Sequence, residues 1–180
     1  MVASKPIYKG KKKAGDMEID ASSYEQSSAG LFHEDGRKRL PYSLCEQEGH
    51  RKEVVIANDC ICYVPSRALL TLFKMKARRD RLFDIKNKGA TMNPSSVEWL
   101  RGKVTKDGSD IIALLDDKGK KALLNDKVDF AQMKRIASSC RITNMAVETI
   151  KEVLKDKNVI SLYNRTIDTK TLLRSVEQLD

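Results

Sequence analysis

Cys45, His50, Cys60 and Cys62 bring four soft or borderline metal-ligand types together within eighteen residues. Zinc needs four such groups in a tetrahedral array, and a strand would place residues 60 and 62 on one face. The order Cys-x4-His followed by Cys-x-Cys matches no common zinc knuckle or ribbon, so neither a metal nor another cofactor is expected. Free thiols or cysteines facing a core account for the same residues. Catalysis has no better footing. The two histidines, His33 and His50, fall in stretches read as loop or disordered. No nucleophile motif stands beside them, and there is no Walker loop and no Gly-x-Gly-x-x-Gly run. The chain is not expected to be an enzyme.

Phosphate binding is the chemistry that the residue types favour. The chain carries a net charge of +9, distributed as +2 over residues 1–40, −2 over 41–64, +8 over 65–106 and +1 over 107–180. Charges clustered in this way add their fields within a Debye length of about 8–10 Å. Within the +8 segment Arg67, Lys74, Arg78 and Arg81 are spaced by seven, four and three residues, which aligns them in one stripe of a helix, with Arg79 alongside. Lys11, Lys12 and Lys13 would add a short basic arm. These eight side chains are the expected nucleic-acid contacts, and a solvated face kept for solubility is the plain alternative.

The elements that must position them follow from pattern. A chain of 180 residues, 41% hydrophobic with a mean hydropathy of −0.48, is expected to fold as one small α+β protein, mostly helical. Residues 1–40 lack an apolar period and are expected to be a disordered basic arm. Residues 41–106 are expected to hold a small β-hairpin over Val54–Val64 and a long basic helix over 66–88, capped by Ser66 and stopped by Gly89. A short helix follows Asn93-Pro94, with Trp99 as a core anchor, and Gly102 to Gly108 reads as a polar connection with a turn at Asp107-Gly108. No apolar run approaches the roughly 18 residues of a membrane span, and the N-terminus lacks the apolar region of a signal peptide. The expected location is intracellular, cytoplasmic or nuclear, not secreted and not transmembrane, with the cysteines reduced.

Residues 107–180 form the third unit, with helices expected at 109–118, 129–137 and 143–154, strands at 159–163 and 166–168, and a last helix over Leu172–Leu179. The run Val147-Glu148-Thr149-Ile150-Lys151-Glu152-Val153-Leu154-Lys155-Asp156-Lys157-Asn158-Val159-Ile160 resembles the recognition helix and first wing strand of winged helix-turn-helix regulators, including the bacterial cyclic-nucleotide-receptor type. That resemblance covers residues 109–168 and implies a winged-helix-like unit. Glu148, Glu152 and Asp156 would repel DNA phosphates. The unit is therefore expected to dock a protein partner or a second copy rather than to read bases.

Three functions are carried forward. The first is a small accessory protein that binds DNA or RNA without strong sequence choice. The second is a viral matrix-like or virion structural protein that assembles on an anionic membrane or a nucleocapsid. The third is a winged-helix transcription regulator.

Overall fold

The structure is a computed structural model that describes residues 9–14, 17–22, 30–57, 60–116, 128–164, 167–177 and 179, with the backbone alone for 9–14, 17–22, 56, 57, 60, 171, 174 and 175. It is α+β and mostly helical. Two antiparallel hairpins, β1 (Lys9–Ala14) with β2 (Met17–Ser22) and β3 (Arg51–Ala57) with β4 (Cys60–Pro65), form separate two-stranded sheets. The helices are α1 (Arg67–Lys88), α2 (Pro94–Leu115), α3 (Phe130–Ser139), α4 (Thr143–Val153), α5 (Lys157–Tyr163) and α6 (Thr169–Glu177).

The long antiparallel pair α1–α2 is the spine. Ser66 Oγ accepts the Leu69 N–H at 3.3 Å and starts α1, and Asn93 Oδ1 accepts the Ser95 N–H at 2.9 Å and starts α2 behind Pro94. Leu69, Leu72 and Met75 of α1 and Ile111, Ile112 and Leu115 of α2 are buried at helical spacing. Met133, Ile136 and Ala137 of α3 and Ala146, Ile150 and Val153 of α4 extend the same core, which Leu172, Val176 and Leu179 close at the C-terminus.

Several expectations are corrected. The arm does not extend through residue 40. Gly30, at φ +79°, begins a small loop in which Leu40 donates its N–H to the Gly30 carbonyl at 2.9 Å, and Phe32 and Leu40 are buried in the main core. A Cβ at position 30 would stand 2.5 Å from the Leu40 carbonyl oxygen, so only glycine fits. Further upstream, β1 and β2 pair in register from Lys9 with Ser22 to Ala14 with Met17, an element that no apolar period announces.

The polar connection over 102–108 is helix. α2 runs unbroken through Gly102 and Gly108, because Gly108 serves packing rather than turning. A Cβ there would meet Val159 Cγ2 at 2.6 Å, and Val159 is fully buried against it. The wing strand expected at 159–163 is absent for the same reason. Asp156 caps α5 by accepting the Asn158 and Val159 N–H groups at 3.0 and 3.3 Å. One turn on from Val159, Tyr163 donates its hydroxyl to Asp116 at 2.5 Å, so the i, i+4 pair faces α2. Residues 164, 167 and 168 are not in a strand either, and 165 and 166 lie outside the described residues.

Candidate functional site

The aligned cations of α1 face other parts of the chain. Arg67, 4% exposed, closes the C-terminal end of α2 by donating to the carbonyls of Leu114, Ala113 (3.4 Å) and Asp116 (3.2 Å), groups that a helix end otherwise leaves unsatisfied. Lys74 reaches Asp110 at 2.8 Å and Asp107 at 3.6 Å, and Arg81 pairs with Asp107. Arg78, also 4% exposed, donates to the Val104 carbonyl at 2.7 Å and to Asp156 at 3.2 Å, tying α1 to α2 and to the cap of α5 in one side chain. Arg79 grips Glu34, the Met145 carbonyl (3.2 Å) and the Thr149 hydroxyl (3.1 Å), with Glu148 at 3.6 Å.

Electrostatic perturbations agree with this arrangement. Burial works to raise the carboxyl of Asp110, yet hydrogen bonds from Lys106 and Lys74 hold it below the usual range. Asp84 follows the same pattern, with burial opposed by Lys88 and His33. Burial disfavours the charged Arg79, and Glu34, Glu152 and Glu148 more than compensate, so its guanidinium is held more firmly protonated. The stripe thus brings Arg67, Lys74, Arg78, Arg79 and Arg81 together as an internal lattice with acids from four other segments. Their sequence separations of 26 to 78 residues left no local signal for this pairing.

The side chains of Lys11, Lys12 and Lys13 lie outside those described. So does Cys60. Cys45 and Cys62 are half-buried, His50 has a buried Nδ1 without a hydrogen-bond partner, and no three His, Cys, Asp or Glu side chains gather as a metal set among the described residues.

A second group of cations in the same segment is placed differently. The far end of the α1–α2 hairpin carries Lys86 and Lys88 on one arm and Arg101 and Lys103 on the other. Lys88 shares Asp84 with His33. No carboxylate pairs with Lys86, Arg101 or Lys103 among the described residues. Trp99, expected as a core anchor, is 60% exposed here, with the Lys103 ammonium 5.3 Å from its ring centre. It lines an open groove of about 570 Å³ with Met92, Asn93, Ser95, Ser96 and Leu100. The nine residues from Gly89 to Val97, which span the connection and the first turn of α2, contain no charge.

The lattice of α1 and α2 joins the hairpin to α4 and α5 up to about Arg81. Lys88 lies seven residues further, so the apex projects by about 10 Å at 1.5 Å per residue. Sequence reasoning counted these four cations in the same +8 segment but singled out five others, Arg67, Lys74, Arg78, Arg79 and Arg81. The missed signal is the absence of acids: only Glu98 lies between Lys86 and Lys103.

A scan against known family models and searches of curated proteins and of solved structures each find no match to this chain. No helix among the described residues is long and apolar enough to cross a membrane.

Proposed function

We propose that this protein acts by binding rather than by catalysis, as a small accessory or assembly protein that engages a phosphate-bearing polyanion through the apex of the α1–α2 hairpin. What supports this reading is the contrast in charge pairing. The α1 stripe is neutralised by Glu34, Asp107, Asp110 and Asp156, whereas Lys86 and Arg101 are exposed, Lys103 is half-exposed beside the Trp99 ring, and none of the three has a carboxylate partner among the described residues. Exposed cations keep their reach toward phosphates, while paired and buried ones have already given up their hydration to a fixed partner. The C-terminal helices serve a partner or a second copy. Glu148 and Glu152 are exposed on α4, and Ile160 and Leu162 are 36% and 54% exposed on α5.

The test is binding to a model polyanion such as heparin over a range of salt. The variant K86Q/K88Q/R101Q/K103Q should bind more weakly, with the slope of log K against log salt flatter by about 2–3 if three or four cations displace counterions. A slope unchanged from the parent protein overturns the assignment to the apex.

A further inference from the structure

We propose that the outward face of the β3–β4 hairpin is a dimer contact, covered by the β1–β2 hairpin of a second copy of this chain, so that each copy gives one hairpin and receives one.

The register of the two hairpins carries the inference. Residues directly opposite each other in an antiparallel pair point to the same side of the sheet, and the side alternates along each strand. In β3–β4 the pairs Arg51 with Pro65, Glu53 with Tyr63 and Val55 with Ile61 therefore share one face, on which the Arg51 guanidinium lies 4.0 Å from the centre of the Tyr63 ring. That face is turned to solvent. Val55 is 64%, Tyr63 54% and Ile61 50% exposed, whereas Cys62 and Val64 on the opposite face are half-buried. A two-stranded sheet with an uncovered apolar face is marginal in water, and a second layer on that face is what stabilises it.

The β1–β2 hairpin carries the matching face. Its register sets Lys11 opposite Asp20 and Lys13 opposite Glu18 on one side, where charge stands across from charge. The other side holds Gly10 opposite Ala21, Lys12 opposite Ile19 and Ala14 opposite Met17, a small apolar set with a single cation. The face of β3–β4 has a single charge to answer it. Arg51 is engaged on the Tyr63 ring, and Glu53 is exposed with no cationic partner among the described residues. Stacked about 10 Å apart, the two faces join their apolar positions and pair Lys12 with Glu53.

A second copy is the source of the covering hairpin, because Val55, Ile61 and Tyr63 stay at least half exposed in a chain that has its own β1–β2. Two copies can each satisfy the other, and a reciprocal exchange closes at the dimer instead of growing into a filament. This contact uses neither the α1–α2 apex nor α4 and α5.

Full-length protein is followed by sedimentation velocity over a range of concentration, and by hydrogen exchange of residues 51–65 under the same conditions. Monomer should pass to dimer as concentration rises, with exchange over 51–65 slowing about tenfold and that of α1 unchanged. Ile19→Asp and Val55→Asp should each weaken the dimer about tenfold, while exchange in α1 shows that the helical core is intact. Lys12→Glu and Glu53→Lys should each weaken it severalfold, and the double variant should regain most of the loss. Leu162→Ser, on the exposed side of α5, should leave the dimer as it was. A monomer at every concentration, a dimer indifferent to Ile19→Asp, a double charge variant no tighter than its singles, or a dimer lost in Leu162→Ser would overturn the proposal. Protection of 51–65 that ignores concentration and yet disappears in Ile19→Asp would overturn it too, by assigning the face to the chain's own hairpin.

Discussion

The two halves of the α1–α2 hairpin hold cations of the same kinds, and only their neighbours differ. In the lower half Arg67, Lys74, Arg78, Arg79 and Arg81 meet carboxylates and helix-end carbonyls drawn from the 30–40 loop, α2, α4 and the α5 cap. At the apex Lys86 and Arg101 meet solvent, and Lys103 meets only the exposed Trp99 ring and solvent. A charge total cannot separate the two, since both contribute to the same +8. Charge of the first kind holds the fold together, and charge of the second kind is available to a partner.

The largest expected effect of breaking this contrast is on stability, in the lower half. Arg78→Ala removes bonds to Val104 and Asp156 and leaves a space beneath α5, and should cost about 3 kcal/mol in urea unfolding. Arg78→Met, which refills most of the volume, should cost less. Next comes Gly108→Ala, whose new methyl meets Val159 at 2.6 Å and should cost about 1–3 kcal/mol, with the loss partly relieved in combination with Val159→Ala.

Acid should act on the same half. Asp110 and Asp84 have folded pKa values below their unfolded ones, so the stability they contribute is full above about pH 4 and disappears as pH falls through the lower folded values. The melting temperature should drop below about pH 4, and less steeply in Asp110→Asn. The smallest effect belongs to the apex. K86Q/K88Q/R101Q/K103Q should change stability by no more than about 0.5 kcal/mol in the same urea titration, although it weakens polyanion binding.

Local chemistry made much of the fold legible. The Ser66 cap, the Asp129 cap that accepts the Gln132 N–H at 2.8 Å, the β3–β4 pair and the apolar spacing of α3 and α4 can all be read from neighbours in sequence. The failures share a cause. Gly108 looks like a turn until Val159 is brought against it from fifty-one residues away, and Val159–Tyr163 looks like a strand until the Asp156 cap starts a helix that carries Val159 onto Gly108 and Tyr163 to Asp116. The surroundings of the candidate site were hidden in the same way. Helical periodicity correctly aligned the α1 cations on one stripe, but which stripe faces solvent depends on acids as remote as Asp156. Trp99 was misread because a lone tryptophan usually completes a core, and this one stands beyond the last buried layer of α2, marked by Val104.

The division between engaged and available cations is tested most directly by the rates at which individual lysines react with an amine-acylating reagent, read by mass spectrometry with and without heparin. Lys76 is buried against Asp80, and Lys86 is exposed ten residues further along the same helix. In the native protein Lys86, Lys88 and Lys103 should react roughly tenfold faster than Lys76, with the difference vanishing on unfolding, and heparin should slow the three apex lysines alone. Lys74 and Lys76 reacting as fast as Lys86, or heparin protecting Lys74 in preference to the apex, would contradict the account.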